Sequence, residues 1–387
     1  MPYLDHAATT PLRPEALDAM LPWLRDAHGN ASSVHGPGRR ARVAVEQARR
    51  DVAGALGCEP AEVVFTSGGT EADNAALLGV LGAPEMRAAG RTALVTSAAE
   101  HDAVLRAADR LEAAGHAVAR LAPGAAGAPT PEAVADALTP ATGLVSVMAV
   151  NNETGALADV RGIAEAAHAG GAWVHTDAVQ AAGLLDVRLG TLGADLLTVS
   201  AHKVGGPTGV GALAIRQGVP FAPLIAGGAQ ERRRRGGTEN VAGVVGFAAA
   251  LRLAHAEREA TAARLGALRD RLRARLVASF GDRVVVNTPE AAAPHILNVS
   301  FRPGAGGPLD GEMLLLGLDL EGVHVSAGSA CTSGALEPSH VLLAMGVPRD
   351  TAAATVRVSL GRTTEAADTD AAAEALGRVV ARLSGGA

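Results

Sequence analysis

Short apolar runs alternate with longer amphipathic stretches over the first half of the chain. The apolar runs predict strands near residues 63–66, 92–97, 116–121, 143–150, 172–176, 195–200 and 210–215, and helical patterns at 101–114 and 159–169 lie between them. Strands that alternate with helices in this way form a mostly parallel sheet that helices cover on both faces. We therefore expect an α/β fold whose large domain holds a mostly parallel seven-stranded sheet between helices.

The second half of the chain predicts a smaller α+β domain. A long alanine-rich helical stretch runs to about Phe280 and leads into this domain. Beyond it, the pattern predicts strands near 284–287, 296–301, 323–326 and 356–360, and helices near 309–318, 338–345 and 365–383. We expect a large domain over residues 16–254, and a small domain in which the extended residues 1–15 join residues 255–387.

Composition limits the class of protein. The chain has 387 residues, 48% of them hydrophobic, and a formal net charge of -6, which predicts a globular protein that does not bind nucleic acid directly. No uncharged apolar run approaches the ~18 residues of a membrane helix, and the N-terminus lacks a signal-peptide pattern, so we expect a cytoplasmic protein without a membrane anchor. The two cysteines, Cys58 and Cys331, lie outside any C-x-x-C pair, and we expect no metal site.

The chain's candidate chemistry centres on Lys203. This lysine follows a buried apolar run and precedes the turn residues Gly205-Gly206-Pro207, so it should sit at the mouth of a strand. Partial burial there would lower the lysine pKa and provide a neutral amine for Schiff-base chemistry. The alternative is a lysine that extends to the surface.

A carboxylate and an anion site accompany this lysine. Asp177 ends another apolar strand, and in parallel sheets ligands bind beyond the strands' carboxyl ends. Such an aspartate could protonate the ring nitrogen of pyridoxal phosphate, although a simple ion pair with Lys203 would explain it too. The string Val63-Val-Phe-Thr-Ser-Gly-Gly-Thr70 predicts a strand, a glycine turn and a helix start capped by Thr70 with Asp73 three residues on, which suits a phosphate.

Motifs along nearly the whole chain, from Tyr3 to about Thr364, resemble one family. They are YLDHAATTP, FTSGGTEADN, AAEHDAV, VNNETG, HTDAVQ, SAHKVGGPTGVG, RRGGTEN, ILNVSF, SAGSACTSG and VRVSLGRTT. In these strings and their order the chain resembles the cysteine desulfurases of the NifS/IscS type, which belong to the class V aminotransferases among the fold-type I PLP-dependent transferases. The resemblance implies pyridoxal 5'-phosphate as cofactor, held on Lys203.

The resemblance also implies roles for individual residues. His101 would stack on the cofactor ring and relay protons, Gln180 would meet the ring oxygen, and Thr238 would reach the phosphate of a neighbouring protomer in a homodimer. The implied cofactor-binding residues are Gly69, Thr70, His101, Asn152, Asp177, Gln180, Ser200, His202, Lys203 and Thr238. The implied substrate-binding residues are Arg357, Asn152 and Asn30.

Arg357 stands inside an apolar strand, where a charged side chain needs a partner. A bidentate guanidinium facing the pocket would hold a substrate's α-carboxylate, which is the role of the matching arginine in the family. The alternative is an internal ion pair.

Cys331 lies in a segment of small residues, about 326–338, whose neighbours offer no apolar burial. We expect an exposed cysteine on a mobile loop that serves as the catalytic nucleophile, whereas we interpret Cys58 as a small buried hydrophobic residue.

The predicted activity is conversion of L-cysteine to L-alanine, with transfer of the sulfur, as a persulfide on Cys331, to acceptor proteins. An iron-sulfur scaffold or a tRNA-thiolating enzyme would be a suitable acceptor. The same scaffold could instead support a selenocysteine lyase or an aminotransferase, since residues that hold the cofactor do not select the substrate. A third possibility is a platform that docks partners without catalysis.

Overall fold

In the computed structural model, residues 1–304, 306–328 and 337–385 are described. Within them the strands are β1 (Val63–Thr66), β2 (Ala93–Ser97), β3 (Val118–Leu121), β4 (Thr142–Ser146), β5 (Trp173–Asp177), β6 (Leu196–Ser200), β7 (Gly211–Ile215), β8 (Val284–Val286), β9 (Ile296–Phe301) and β10 (Thr355–Ser359).

The helices are α1 (Pro14–Arg25), α2 (Gly36–Leu56), α3 (Gly69–Leu81), α4 (Pro84–Ala88), α5 (Asp102–Ala113), α6 (Pro131–Ala137), α7 (Val160–Ala169), α8 (Leu189–Leu192), α9 (Val241–Phe280), α10 (Gly311–Leu320), α11 (His340–Ala344), α12 (Arg349–Ala353) and α13 (Ala366–Leu383). None of these described helices is both long and apolar enough to cross a membrane.

Within the described residues the large sheet has seven strands, as predicted, and their order is β1-β7-β6-β5-β4-β2-β3. Strand β7 runs antiparallel to both its neighbours, and the remaining pairs are parallel. Six strands therefore point the same way, and their carboxyl ends meet at one edge of the sheet. That edge is where an open α/β sheet binds its ligands.

Helices cover both faces of this sheet. Side chains of β6 alternate between the two sides: Leu197 and Val199 pack with α2, α7 and the first half of α9, whereas Leu196 packs with α3, α4 and α5. All three leucine and valine side chains are completely buried. The continuous apolar run of β6 is thus explained by burial on both faces.

A second core lies around the antiparallel sheet β10-β9-β8. It contains Leu4 from the N-terminal segment, Leu265 and Leu272 from the second half of α9, and side chains of α10 and α13. The strand predicted over 323–326 is not formed as a strand. Instead, His324 and Ser326 make single bridges to Tyr3 and Arg357, because each pairs with a different segment of chain.

Candidate active site

The carboxyl ends of the parallel strands open into a cavity of about 790 Å³. Most of the site residues predicted from the sequence line it: Gly69, Thr70, His101, Asn152, Asp177, Gln180, Ser200, His202, Lys203 and Arg357. Residues that lie up to 288 positions apart in the sequence (357 minus 69) are therefore assembled at one place.

Two of the predicted residues that the structure describes are not assembled there. Asn30 and Thr238 are exposed and lie outside the cavity, and the Asn30 side chain accepts a hydrogen bond from the backbone N–H of Ser32 at 2.8 Å. Cys331 falls outside the described residues. Cys58 packs at the margin of the large core, where burial raises the pKa of its thiol to about 12.

Lys203 follows β6 in a short turn and lies in the cavity, not at the surface. Its Nζ donates to the carbonyl oxygens of Ala7 and Ala8, the latter at 2.7 Å. Burial, helped by the positive charge of Arg357, lowers the pKa of Lys203 to about 8. The amine is therefore available in its neutral form near physiological pH.

Asp177 ends β5 and is almost completely buried. Its Oδ1 accepts from the backbone N–H of Val179 at 2.8 Å. Burial raises the pKa of this carboxyl, while that hydrogen bond, His101 and Lys203 act in the opposite direction. A buried carboxylate of this kind gains by pairing with a cation that enters the cavity, such as a protonated ring nitrogen.

Further buried carboxyl groups lie near Asp177. Burial raises the pKa of both Asp73 and Glu100 well above the usual range, and the charge of Asp177 adds to the effect. Asp73 Oδ1 is 3.6 Å from Nε2 of His175, and burial lowers the pKa of that imidazole to about 3, so it is neutral. The sequence analysis named Asp73 only as part of the helix start and gave Glu100 and His175 no role in the site. The alternation along β5 places His175 and Asp177 on the same face and was the available signal.

The predicted phosphate cradle is formed by the start of α3. The helix begins at Gly69 with Gly68 as its N-cap residue, so the prediction that Thr70 caps it was wrong. Gly68 adopts φ +155°, and a Cβ on Gly69 would lie 3.0 Å from Val179 Cγ2, so the turn requires small residues. The free N–H groups of the first helical turn face an anion in such an arrangement.

Ser200 and His202 complete this wall of the cavity. The Nδ1 of His202 is 3.1 Å from the hydroxyl oxygen of Thr9. Burial, together with the charge of Lys203, lowers the pKa of His202 to about 4, and the ring is neutral at pH 7. It can therefore serve a phosphate as a hydrogen-bond donor.

Arg357 lies on β10 and is only 4% exposed. Its Nη2 donates to Oδ1 of Asp5 at 2.7 Å, and its Nη1 donates to the carbonyl oxygen of Asn152 at 2.9 Å. The internal ion pair considered as the alternative for this arginine is thus present. The same guanidinium also lines the cavity, and its role toward a substrate carboxylate stays a prediction.

His101 is the N-cap residue of α5, and its Nδ1 accepts from the backbone N–H of Ala103 at 3.1 Å. His101 therefore caps this helix and also lines the cavity wall. Because Nδ1 accepts, the neutral ring carries its proton on Nε2. That nitrogen can exchange a proton with a bound group.

Comparison with known proteins identifies the family of this chain. The aminotransferase class-V family model matches residues 2–371. This chain belongs to that family. It is 43% identical over 382 residues to the cysteine desulfurase IscS of Dictyoglomus turgidum, covering 98% of this chain and 95% of the relative. The resemblance inferred from the motifs is confirmed.

Solved structures extend the comparison to three dimensions. A NifS-like protein superposes with a TM-score of 0.90 at 35% identity, covering 99% of this chain and all of that one. A protein named SspA, solved in complex with cysteine, has a TM-score of 0.80 at 32% identity and covers 93% of this chain and 99% of its own. The family members that match this chain thus share its fold over almost the whole length.

Proposed function

We propose that the protein converts L-cysteine to L-alanine and delivers the sulfur, as a persulfide on Cys331, to acceptor proteins. The observation that carries the proposal is Lys203, whose amine has a pKa of about 8 and lies in one cavity with Asp177 and Arg357. The similarity to cysteine desulfurases supplies the substrate.

The donor set suits pyridoxal 5'-phosphate. The phosphate would bind at the start of α3 against Gly69, Thr70, Ser200 and His202, and the ring nitrogen would meet Asp177. Asn152, Gln180 and His101 would contact the ring and its oxygen. When bound, the cofactor accepts the electron pair released as the substrate's Cα–H bond breaks.

Lys203 and Arg357 handle the substrate in this mechanism. The guanidinium of Arg357, with Asn152 beside it, holds the α-carboxylate and thereby fixes Cα near Lys203. The neutral Nζ of Lys203 removes the α-proton as general base, which its lowered pKa permits at neutral pH. His101 can move protons through its Nε2.

Cys331 takes the sulfur. Its thiolate attacks the substrate sulfur, an S–S bond forms, and the Cβ–S bond breaks with its electron pair left on the carbon fragment. Protonation of that fragment gives alanine, and Cys331 carries the persulfide. An acceptor thiol on an iron-sulfur scaffold or a tRNA-thiolating enzyme then attacks the outer sulfur.

We also propose that the protein is a cytoplasmic homodimer. Thr238 and Asn30 are exposed and lie outside the cavity of their own chain, which suits residues that serve the site of a second copy. This arrangement would give Thr238 the phosphate-binding role that the resemblance implies.

The test measures alanine released from L-cysteine in the presence of a reductant, and, in a separate sample without reductant, persulfide on the intact protein by mass spectrometry. Wild type and Cys58→Ala should give both products, since the pKa of the Cys58 thiol, about 12, leaves it protonated. Cys331→Ala should lose alanine and persulfide, and Lys203→Ala should lose both as well. Transfer of an amino group to a keto acid that survives Cys331→Ala would favour an aminotransferase and contradict the proposal.

A further inference from the structure

The N-terminal segment Tyr3–Thr10 contacts both ends of the candidate site. At one end, Asp5 accepts from Nη2 of Arg357 at 2.7 Å. At the other end, the carbonyl oxygens of Ala7 and Ala8 accept from Nζ of Lys203, and Ala7 also accepts from the side-chain amide of Gln180 at 2.8 Å. A single residue, His6, therefore separates Asp5, which contacts the arginine, from Ala7, which contacts the lysine.

This segment is firmly held. The backbone N–H of Leu4 donates to His324 at 2.9 Å, and that of Ser359 donates to Leu4 at 2.7 Å. The side chain of Leu4 is completely buried in the second core, and the hydroxyl of Ser359 accepts from the N–H of Ala7 at 2.9 Å. Asp5 thus has a fixed backbone from which to hold another side chain.

The hydrogen bonds of Arg357 identify what Asp5 contributes. A guanidinium has five N–H donors. Nη1 donates to the carbonyl oxygens of Asn152 at 2.9 Å and Gly328 at 3.5 Å, and Nη2 donates to Asp5. Nε is buried and has no partner among the described residues. Asp5 is therefore the only side chain in the described part of the structure that hydrogen-bonds this guanidinium. Not every N–H donor of Arg357 is used there, so donors remain for a second carboxylate.

We propose that Asp5 is a positioning residue, which orients Arg357 so that the α-carboxylate of the substrate binds at a fixed distance from Lys203. The inference rests on the proposed function, in which Arg357 binds that carboxylate. A guanidinium that is already oriented loses less conformational freedom when the substrate carboxylate binds. Asp5 itself does not touch the reacting atoms.

Asp5 also has an effect in the opposite direction. The carboxylate of Asp5 competes with the substrate for the positive charge of Arg357. If competition outweighed orientation, removal of Asp5 would tighten substrate binding.

The test uses the cofactor-loaded protein with Asp5→Ala, Asp5→Asn and the control Asp370→Ala, a half-buried acid that pairs with Arg271 and Arg275 away from the cavity. We expect Asp5→Ala to raise KM for L-cysteine by about tenfold, with kcat changed by less than about twofold. Asp5→Asn keeps an acceptor oxygen and should recover most of this loss, and Asp370→Ala should match wild type. If Asp5→Ala does not fold, Asp5→Ser replaces it. Serine is too short to reach Nη2, so we expect the same rise in KM.

A second readout does not depend on turnover. L-alanine has the same α-carboxylate, so its dissociation constant, read from the change in cofactor absorbance on titration, should rise by the same factor in Asp5→Ala. An unchanged or lower KM and dissociation constant would overturn the proposal, as would a loss confined to kcat. If wild type released no alanine from L-cysteine, the proposed function would fail. The titration with L-alanine would still test the role of Asp5.

Discussion

Two opposing influences act on the amine of Lys203. The carbonyl oxygens of Ala7 and Ala8 stabilise an ammonium, while burial and the charge of Arg357 favour the neutral amine. The pKa of about 8, against an ordinary value of 10.5, means that burial and the charge of Arg357 outweigh the carboxylates of Asp177 and Asp5, which act in the opposite direction. A nucleophilic lysine needs this balance, because only the neutral amine adds to a carbonyl.

This pKa predicts how the cofactor-free protein captures pyridoxal phosphate. A lowered lysine pKa means that the neutral fraction grows as pH rises through about 8, from about a tenth at pH 7 to about nine-tenths at pH 9. The initial capture rate, followed by absorbance after mixing, should rise over this range and then level off. Lys203→Ala should not develop the same absorbance. A rate that keeps rising beyond pH 10 would indicate an unshifted lysine instead.

At the scale of elements, the turn Glu231–Arg233 has unusual backbone geometry. All three residues have positive φ, at 45°, 55° and 65°, although none is glycine. The buried carboxylate of Glu231 anchors the turn through Arg49, at 2.6 and 2.9 Å, and the backbone N–H of Phe65 at 2.9 Å. The anchor stabilises a conformation that each Cβ opposes.

The strain predicts that glycine is better than alanine at Arg233. Both substitutions remove the Arg233 side chain beyond Cβ, but only glycine also removes the Cβ. The free energy of unfolding of Arg233→Gly should therefore exceed that of Arg233→Ala by up to about 1 kcal/mol. At Arg234, whose φ is -90°, the order should be the ordinary one, with alanine more stable. Urea unfolding of the four variants measures both differences. The same order at both positions would mean that Arg233 is not strained.

The sequence predicts an element well when residues near one another in the chain determine it, and poorly when distant residues do. The seven strands of the large sheet follow from apolar runs, and each agrees with its prediction to within a few residues. The cap at Thr70 was wrong because the backbone of Gly68, not a side-chain oxygen, sets the helix start. Residues 323–326 form single bridges because their partners, Tyr3 and Arg357, come from distant segments. The boundary at 254/255 stays a prediction.

At the scale of the whole molecule, the site depends on contacts that no local pattern contains. Asp5 meets Arg357 across 352 positions of sequence, and the motifs indicated a partner for that arginine without naming it. The burial of the Asp73 and Glu100 carboxyl groups was not predicted for the same reason, because it comes from the packing of α3 and α5 against the sheet. The resemblance gave the residues that line the cavity, but not the hydrogen bonds among them.

The exposed position of Thr238 leads to a prediction about assembly. If Thr238 serves the site of a second copy, each site takes Lys203 from one chain and Thr238 from the other. In a mixed dimer, one chain carries Lys203→Ala and its partner carries Thr238→Ala. One site of that dimer then contains both changes, and the other site contains neither. Co-expressing the two variants with different affinity tags and purifying through both tags isolates this mixed dimer. It should release alanine at about half the rate of wild type, while the Lys203→Ala dimer is inactive and Thr238→Ala binds the cofactor more weakly. If Thr238 instead served its own chain, the mixed dimer would hold one site of each kind, and its cofactor affinity would be that of Thr238→Ala.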